Sequence, residues 1–280
     1  MPEISLNSLP ARLSRRPTDG HKGDFGAVGV LGGAPCMAGA ALLAGRAALA
    51  CGAGRVYLGM LDERIAVDPA TPELMLAPPQ RVMDLPAPAC LVAGPGLGHG
   101  PAAREWLRQA MDLAHPLLLD ADALNLTAGD TEMSARLRAR PAPTLITPHP
   151  GEAGRLLGVG TGFVQQDREG ALDRLVELTG AIVVLKGAGT LVRAPGGVLW
   201  RNTTGNPGMA APGMGDVLCG FIAALLVQGL APEAAAVVGV WLHGAAGDTA
   251  VQGGHGPVGL AASELIPQAR RLLNQYLVAA

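Results

Sequence analysis

Short apolar runs of the β type alternate with Ala- and Leu-rich helical stretches along much of this 280-residue chain. For example, the apolar run 27–31 is followed by the helical stretch 38–50. Because parallel strands need long crossover connections, usually helices, this alternation indicates βαβ units. The runs 117–119, 144–146 and 182–185 are apolar at consecutive positions, as in strands covered on both faces. We therefore predict an α/β fold with a mostly parallel central sheet and helices on both faces.

The last third of the chain has a different pattern. Residues 190–199 contain Ala-Pro-Gly-Gly at their centre and are typical of a β-hairpin at a sheet edge. Residues 217–227, 234–243 and 261–277 carry apolar side chains at helical spacing. A hydrophobic content of 49% is enough to bury a large core, so we expect residues 1–280 to form a single domain.

Composition excludes several classes of partner and site. The net charge is -2, only 16% of residues are charged, and no Lys/Arg-rich run is present, so we expect no nucleic-acid partner. The apolar run 217–227 is shorter than the roughly 20 residues of a membrane helix, and the start lacks a secretion signal. We therefore expect no membrane partner and a cytoplasmic location. Four scattered cysteines predict buried thiols, not a zinc site or disulfides: Cys36, Cys51, Cys90 and Cys219.

Polar and glycine-rich loops follow four of the apolar runs. In open parallel sheets, ligands bind outside the carboxyl ends of the strands, where such loops gather. These loops therefore mark the expected site: 94–98, 120–122, 147–152 and 186–190.

The turn Gly213-Met214-Gly215-Asp216 leads directly into an apolar helix. Glycines allow the backbone to approach a ligand closely, and a helix N-terminus favours anions, so this turn is suited to phosphate oxygens. A carboxylate beside that site, Asp216, could accept the proton of a substrate hydroxyl as it attacks a terminal phosphoryl group. The alternative is that Asp216 only caps the helix.

The segment Lys186-Gly187-Ala188-Gly189-Thr190 follows an apolar strand, so a nucleotide could pack flat against its small residues. It is not a P-loop, because its Lys precedes the glycines and a hairpin follows in place of a helix. The alternative is a glycine turn with an exposed Lys186. The turn Gly94–Gly98 lacks the last glycine of the dinucleotide fingerprint, which disfavours a Rossmann dehydrogenase. It could still bind phosphate or ribose, or be a plain turn.

Three further segments carry side chains suited to chemistry. His149 lies between two prolines that restrict its backbone, and Glu152 could hold magnesium through water, although a first-turn Glu is equally favoured by the helix dipole. Asp120 and Asp122 could orient substrate hydroxyls or a hydrated metal, or Asp122 could cap a turn. The polar segment 21–26 is either an active-site arm or a surface loop.

Six motifs occur in order over nearly the whole chain: HKGDFG, GPGLG, DADALN, TPHPGEA, VLKGAGT and NPGMAxxGxGDVL. Together they resemble the ADP/ATP-dependent NAD(P)H-hydrate dehydratase family. The resemblance implies a ribokinase-like fold and repair of NADHX and NADPHX, nicotinamides hydrated at C6 of the ring. It also implies that ADP, or ATP, phosphorylates the C6 hydroxyl with magnesium present, and that phosphate then leaves to give NADH or NADPH.

The resemblance also assigns roles to individual residues. It places Asp216 at the reacting hydroxyl and assigns Ala40, Gly98 and His149 to the hydrated dinucleotide. It assigns the nucleotide to Lys186, Gly187, Ala188, Gly189, Thr190 and Gly215, and it leaves the metal ligands unknown. It further suggests a homo-oligomer, such as a tetramer, that works with a separate epimerase, since no epimerase motifs precede His21.

One departure and two rival functions follow from the same residues. Pro212 stands where the family usually has a hydroxyl or glycine residue, and it removes one N–H that could face phosphate. The nearest rival function is a small-molecule kinase of the same fold, acting on a vitamin precursor or sugar. Such kinases commonly have Asn where this chain has His149, which favours the dehydratase. A catalytically inactive nucleotide-binding regulator is disfavoured by the presence of Asp216.

Overall fold

A computed structural model describes residues 1–278, which contain one ten-stranded sheet in the order β1-β10-β9-β8-β7-β6-β5-β2-β3-β4. The strands are β1 (Glu3–Ile4), β2 (Ala27–Gly32), β3 (Arg55–Met60), β4 (Met75–Ala77), β5 (Ala89–Ala93), β6 (Leu117–Leu119), β7 (Thr144–Ile146), β8 (Ile182–Leu185), β9 (Leu191–Arg193) and β10 (Trp200–Asn202).

Strands β2 to β8 are parallel to one another, which confirms the predicted mostly parallel sheet. Strand β9 is antiparallel to both β8 and β10, as the hairpin motif predicts. The hairpin does not form the edge, however, because β1 pairs in parallel with β10 outside it. Strand β1 has only two residues, which are too few to show a strand periodicity, so the sequence does not predict it.

Within the described residues 1–278, eleven α-helices cover the two faces of the sheet. They are α1 (Ala38–Ala50), α2 (Pro79–Met83), α3 (Pro101–Asp112), α4 (Ala121–Ala128), α5 (Thr131–Ala139), α6 (Pro150–Leu157), α7 (Thr161–Gln166), α8 (Arg168–Thr179), α9 (Met214–Val227), α10 (Pro232–Gln252) and α11 (Ala262–Leu272). A 3-10 turn, Pro207–Met209, precedes α9, and a π-helical turn, Leu273–Leu277, follows α11.

The core is divided by the sheet into two layers. One layer packs α1, α9, α10 and α11 against the sheet, with the fully buried Phe221 among its largest side chains. The other layer packs the helices α2 to α8 against the opposite face and includes the fully buried Leu107. Because both faces are covered, the central strands are apolar at consecutive positions, as the sequence indicates.

Helix α10, Pro232–Gln252, is longer than the apolar stretch 234–243 that predicts it, and most of it lies in the protein core. By length and composition it meets the criteria for a membrane span, but 72% of its most apolar window is buried inside the protein. This burial is typical of the central helix of a packed core. The prediction that the cysteines are buried thiols is correct for Cys51, Cys90 and Cys219. It is wrong for Cys36, which lies exposed in the loop after β2.

The strand order reverses between β2 and β5, and the loops that follow these two strands are joined there. Gly33 donates a backbone hydrogen bond of 3.1 Å to Pro95, and Ala34 donates one of 2.7 Å to Gly96. A Cβ atom at Gly32 would lie 2.0 Å from the Pro95 carbonyl oxygen, so this close approach requires glycine. Such a switch point is where open α/β sheets bind ligands.

Candidate active site

A buried ion pair lies at the carboxyl ends of three adjacent strands. Asp120 follows β6, Thr147 follows β7 and Lys186 follows β8. The Lys186 Nζ atom lies 2.5 Å from Asp120 Oδ1, and the same oxygen accepts a 2.9 Å hydrogen bond from Thr147 Oγ1. Glu152 Oε2 lies 3.7 Å from Lys186 Nζ. Two carboxylates therefore share one ammonium group, which leaves this pocket with a net negative charge.

The electrostatics of this cluster follow from its burial. Burial by itself lowers the pKa of Lys186, but the carboxylates of Asp120 and Glu152 outweigh it and raise that pKa, so the ammonium stays protonated. Burial raises the pKa of Glu152, and Lys186 opposes the rise. The exposed-lysine alternative is therefore wrong, because only 18% of the Lys186 side chain is accessible and its charge is paired.

Asp216 lies in the first turn of α9, whose N-cap residue is Gly213. Gly213 has φ +86°, and a Cβ atom there would lie 2.6 Å from Leu43, so only glycine suits this turn. Because the cap is Gly213, the alternative in which Asp216 caps the helix is wrong. Within residues 1–278 no hydrogen bond holds the Asp216 carboxylate, which leaves it available to a ligand.

The pKa of Asp216 is raised from 3.8 to about 7. Burial is the largest cause, and the negative charges of Asp120, Asp122 and Glu152 add to it, while Lys186 opposes it. A carboxyl group that titrates near neutrality can both accept and release a proton at physiological pH. The structure therefore gives Asp216 the property that a general base needs.

Gly215 brings the start of α9 against the ion pair. A Cβ atom at Gly215 would lie 3.1 Å from both Asp120 Oδ2 and Lys186 Nζ. The first N–H groups of a helix have no partner within the helix, and here they belong to Met214, Gly215 and Asp216. They are well suited to phosphate oxygens. Pro212 precedes the cap and is exposed, so the N–H that it lacks is not one of these three.

His149 and Glu152 form a reciprocal cap at the start of α6. His149 Nδ1 accepts hydrogen bonds from the backbone of Gly151 and Glu152, and Glu152 Oε2 accepts one of 2.7 Å from the His149 backbone. The sequence predicts Glu152 in the first turn, which is confirmed, but it does not predict the cap by His149. The imidazole is half exposed, and burial followed by the charge of Lys186 lowers its pKa.

The Gly94–Gly98 turn is held by a carboxylate from α4. Asp122 Oδ2 accepts a 2.8 Å hydrogen bond from Gly98 N, and Asp122 Oδ1 lies 3.0 Å from His99 Nε2. Asp122 thus binds a neighbouring loop, and its predicted alternative role as a cap is wrong. Ala40, in the first turn of α1, borders the same turn, since a Cβ atom at Gly96 would lie 3.2 Å from the Ala40 methyl group.

The segment from Lys186 to Thr190 turns between β8 and β9. Gly187 and Gly189 have φ values of +131° and +66°. Arg168 donates hydrogen bonds to the Leu185 and Lys186 carbonyl oxygens, and its guanidinium lies under Gly187. Arg201 lies beside Gly189, where a Cβ atom would be 3.1 Å from its Nε. The two arginines, which the sequence analysis does not identify, make this turn electropositive.

The remaining predicted segments lie at different ends of the sheet. The loop before α9 reaches the site and is held by Asp248, which accepts hydrogen bonds from Gly205 N and Asn206 Nδ2. The segment 21–26 precedes β2 and therefore lies at the amino end of the strands, away from this site. Its proposed role as an active-site arm is not supported within one copy of the chain.

No cluster of three His, Cys, Asp or Glu side chains with metal-binding geometry occurs within residues 1–278. Asp120 Oδ2 borders the α9 turn at Gly215, and Asp120 and Glu152 already share Lys186. Magnesium commonly binds through one or two carboxylates, several waters and substrate phosphates, so this donor set fits a magnesium ion that arrives with a nucleotide.

The fold and the site define a ribokinase-like α/β protein with a glycine-capped helix start and a carboxyl group of raised pKa at the carboxyl edge of the sheet. The family model described as NAD(P)H-hydrate dehydratase matches residues 28–269. The chain therefore belongs to the NAD(P)H-hydrate dehydratase family, which confirms the resemblance.

Relatives and solved structures agree with this assignment. An ADP-dependent (S)-NAD(P)H-hydrate dehydratase from Neisseria meningitidis is 42% identical, over 95% of this chain and 91% of the relative. The bifunctional NAD(P)H-hydrate repair enzyme Nnr from Coxiella burnetii is 40% identical over 94% of this chain, which spans 53% of that enzyme. The ADP/ATP-dependent NAD(P)H-hydrate dehydratase of Bacillus subtilis, co-crystallised with ATP and magnesium, superimposes with a TM-score of 0.86 and 30% identity over 98% of both chains.

Proposed function

We propose that this protein converts hydrated NADH and NADPH back to the reduced dinucleotides, with ADP as phosphoryl donor and ATP as its substitute. The observation that carries the proposal is Asp216, a carboxyl group with a pKa of about 7 beside the unpaired N–H groups at the start of α9. A proton acceptor beside phosphate-binding N–H groups is suited to a substrate hydroxyl group that must lose a proton as it attacks a phosphoryl group.

In the first step, the C6 hydroxyl oxygen of the hydrate attacks the terminal phosphorus of the nucleotide. Asp216 accepts the hydroxyl proton, the new phosphorus–oxygen bond forms, and the bond to the leaving AMP breaks. The N–H groups of Met214, Gly215 and Asp216 stabilise the negative charge on the transferred group, as oriented donors do in phosphoryl transfer. The ammonium of Lys186, fixed by Asp120, adds a positive charge at the same place.

In the second step, the C6–oxygen bond breaks and inorganic phosphate leaves with the electron pair, assisted by the lone pair of the ring nitrogen. Loss of a proton from C5 restores the ring double bond. The products are the reduced dinucleotide, AMP, phosphate and a proton. Phosphate is a far better leaving group than hydroxide, which is the chemical reason for consuming a nucleotide.

We assign the substrates to the two sides of the α9 turn. The nucleotide binds along Lys186, Gly187, Ala188, Gly189 and Thr190, with its phosphates at Gly215. Its location there is supported by the positive charges of Arg168 and Arg201 beside the turn. The hydrated ring lies on the other side, where the family motifs place its contacts at Ala40, Gly98 and His149.

Magnesium, which we propose to enter with the nucleotide, would neutralise phosphate charge during the transfer. Asp120 and Glu152 would hold it through water, because both carboxylates lie beside Lys186, which borders the proposed phosphate site. Two carboxylates share the single ammonium of Lys186, so the positive charge of a magnesium ion that accompanies the phosphates is favoured there.

We also propose that residues 1–280 act as one domain in a cytoplasmic homotetramer that works with a separate epimerase. A single domain is supported by the pairing of β1 with β10 and of Leu13 with Val278, which join both ends of the described chain to the same body. A partnership with an epimerase is supported by the bifunctional repair enzymes among the relatives.

The test is to incubate the purified protein with NADHX, magnesium and either ADP or ATP. The near-ultraviolet absorbance band of reduced nicotinamide should rise, and AMP should form from ADP in equal amount. The Asp216→Asn variant serves as the control for contaminating activity. Absence of a rise with both nucleotides would contradict the proposal, and phosphorylation of a thiazole or pyrimidine alcohol instead would favour the rival kinase.

A further inference from the structure

A cavity opens beside the proposed ring site, at the switch point between β2 and β5. Its volume is about 570 Å³, within the range of about 300–1,000 Å³ typical of small-molecule sites. Ala34, from the loop after β2, and Gly98, from the loop after β5, line the cavity. Because these two loops follow neighbouring strands on either side of the reversal in strand order, the cavity occupies the position where open α/β sheets bind ligands.

The cavity and the site around Asp216 are linked by the turn that contains Gly98. Asp122 lies near enough to Asp216 to raise its pKa, and Asp122 also binds the backbone of Gly98. Gly98 and His99 line the cavity on their other side. A ligand whose ring lies at Asp216 and contacts Gly98 can therefore extend past His99 into this cavity.

The walls of the cavity are suited to a flat, apolar group. Trp106 of α3 lines one side and is partly buried against the core below. Met60 and Pro79 contribute to the lining from the end of β3 and the start of α2. Aromatic side chains bind nucleobases by stacking on their flat faces, so an indole beside an apolar wall is a suitable place for a base.

The cavity lining carries a negatively charged side chain but neither lysine nor arginine. The negative charge is the carboxylate of Glu63. Arg64, which follows Glu63 along the chain, is turned to Asp62, with Nη2 2.7 Å from Asp62 Oδ2 and Nε 2.8 Å from Asp62 Oδ1. That pairing lowers the pKa of Asp62 to about 2, so the pair stays ionised and Arg64 is already neutralised.

We propose that this cavity binds the adenosine half of the hydrated dinucleotide, with the adenine on Trp106, and that it selects NADHX over NADPHX. The inference rests on the proposed function. A carboxylate accepts a hydrogen bond from a ribose 2′-hydroxyl and repels a 2′-phosphate. Because neither Lys nor Arg lines the cavity, the 2′-phosphate of NADPHX would meet no guanidinium or ammonium group there.

The test compares NADHX and NADPHX as substrates at saturating ADP and magnesium. The wild type should have a higher kcat/KM for NADHX. In Glu63→Gln, the ratio of kcat/KM for NADHX to that for NADPHX should fall by about fivefold, since one like charge beside the 2′-phosphate is removed. Glu177→Gln removes a carboxylate from the C-terminal end of α8, at the opposite end of the sheet, and should leave the ratio unchanged.

The stacking role of Trp106 is tested separately. Trp106→Ala should raise the KM for NADHX by about tenfold, while kcat and the KM for ADP change by less than about twofold, and Trp106→Phe should recover most of the affinity. Titration with NADH should quench tryptophan fluorescence in the wild type and much less in Trp106→Phe.

The outcomes separate this inference from the proposed function. If the wild type forms no NADH or NADPH from either hydrate, the proposed function fails and this inference fails with it. If the wild type is active but prefers NADPHX, or if Trp106→Ala keeps the KM for NADHX, only the adenosine site is refuted.

Discussion

Replacing Asp216 with asparagine should abolish turnover and stabilise the folded protein at the same time. The amide cannot accept the hydroxyl proton, so kcat should fall by at least about a hundredfold, the lower range for loss of a general base. Nucleotide affinity should remain, because the N–H groups at the start of α9 are unchanged. The stability gain has a different origin, since the folded protein disfavours the ionised carboxylate.

The size of the gain follows from the pKa of Asp216. It rises from 3.8 to about 7 on folding, a difference of about 3 units, and each unit corresponds to about 1.4 kcal/mol. The ceiling is therefore about 4 kcal/mol. Asp216 keeps partial contact with solvent, which reduces the effect, so we expect about 1–2 kcal/mol.

The size of this stability gain depends on pH. A raised carboxyl pKa favours the protonated folded state, so the wild type is least penalised below the unfolded value of 3.8 and loses stability as pH rises to about 7. The asparagine of the variant cannot ionise and carries no such penalty. The advantage of Asp216→Asn should be full at about pH 8 and should shrink to less than half at about pH 5.

Urea denaturation of both proteins at these two pH values measures the effect. Asp19→Asn, in an exposed loop, controls for the loss of one negative charge. Lower stability of Asp216→Asn than of the wild type at about pH 8 would refute this explanation, because the carboxylate would then stabilise the fold through Lys186. An equal gain at both pH values would also refute it.

Three further predictions concern the same cluster. The kcat/KM for the hydrate should fall about tenfold per pH unit below about pH 7, because Asp216 must be deprotonated to act as a base, and initial rates across the pH range check this. Lys186→Met should raise the KM for ADP by at least about tenfold and lower the free energy of unfolding by about 2 kcal/mol, since Asp120 loses its partner. Adding Asp120→Leu to this variant should restore part of the stability but not the affinity for ADP. Urea denaturation and ADP titration measure these two effects. Gly215→Ala should fold and raise the KM for ADP by about tenfold, because its methyl group would lie 3.1 Å from the Lys186 ammonium, whereas Gly162→Ala, in open space, should change nothing in the same kinetic assay.

The sequence predicts the sheet and the edge that carries the site. The strands β6, β7 and β8 can be predicted from their consecutive apolar residues, because both faces of a parallel sheet are covered. The polar residues that follow these strands lie close together, because the carboxyl ends of parallel strands meet at one edge of the sheet. The glycine turn before Asp216 is visible for a similar reason, since its composition is unsuited to a core.

The contacts inside the site could not be predicted in the same way. Asp120 and Lys186 are 66 positions apart, and nothing in their spacing indicates that β6 and β8 flank β7. The position of Arg168 beneath Gly187 depends on how α8 packs, which periodicity does not determine. The cap formed by His149 was missed because imidazole is an uncommon cap, although Glu152 three residues later is part of the usual capping pattern.

The central claim is that the C6 hydroxyl is phosphorylated before it leaves, with Asp216 accepting its proton. The most direct measurement uses a hydrate whose hydroxyl carries oxygen-18, prepared by hydrating NADH in labelled water, with ADP, magnesium and the wild-type protein. Mass spectrometry of the released phosphate should find one oxygen-18 atom in each molecule, because the C6–oxygen bond breaks after the phosphorus–oxygen bond has formed. Formation of NADH with unlabelled phosphate and labelled water would contradict the account.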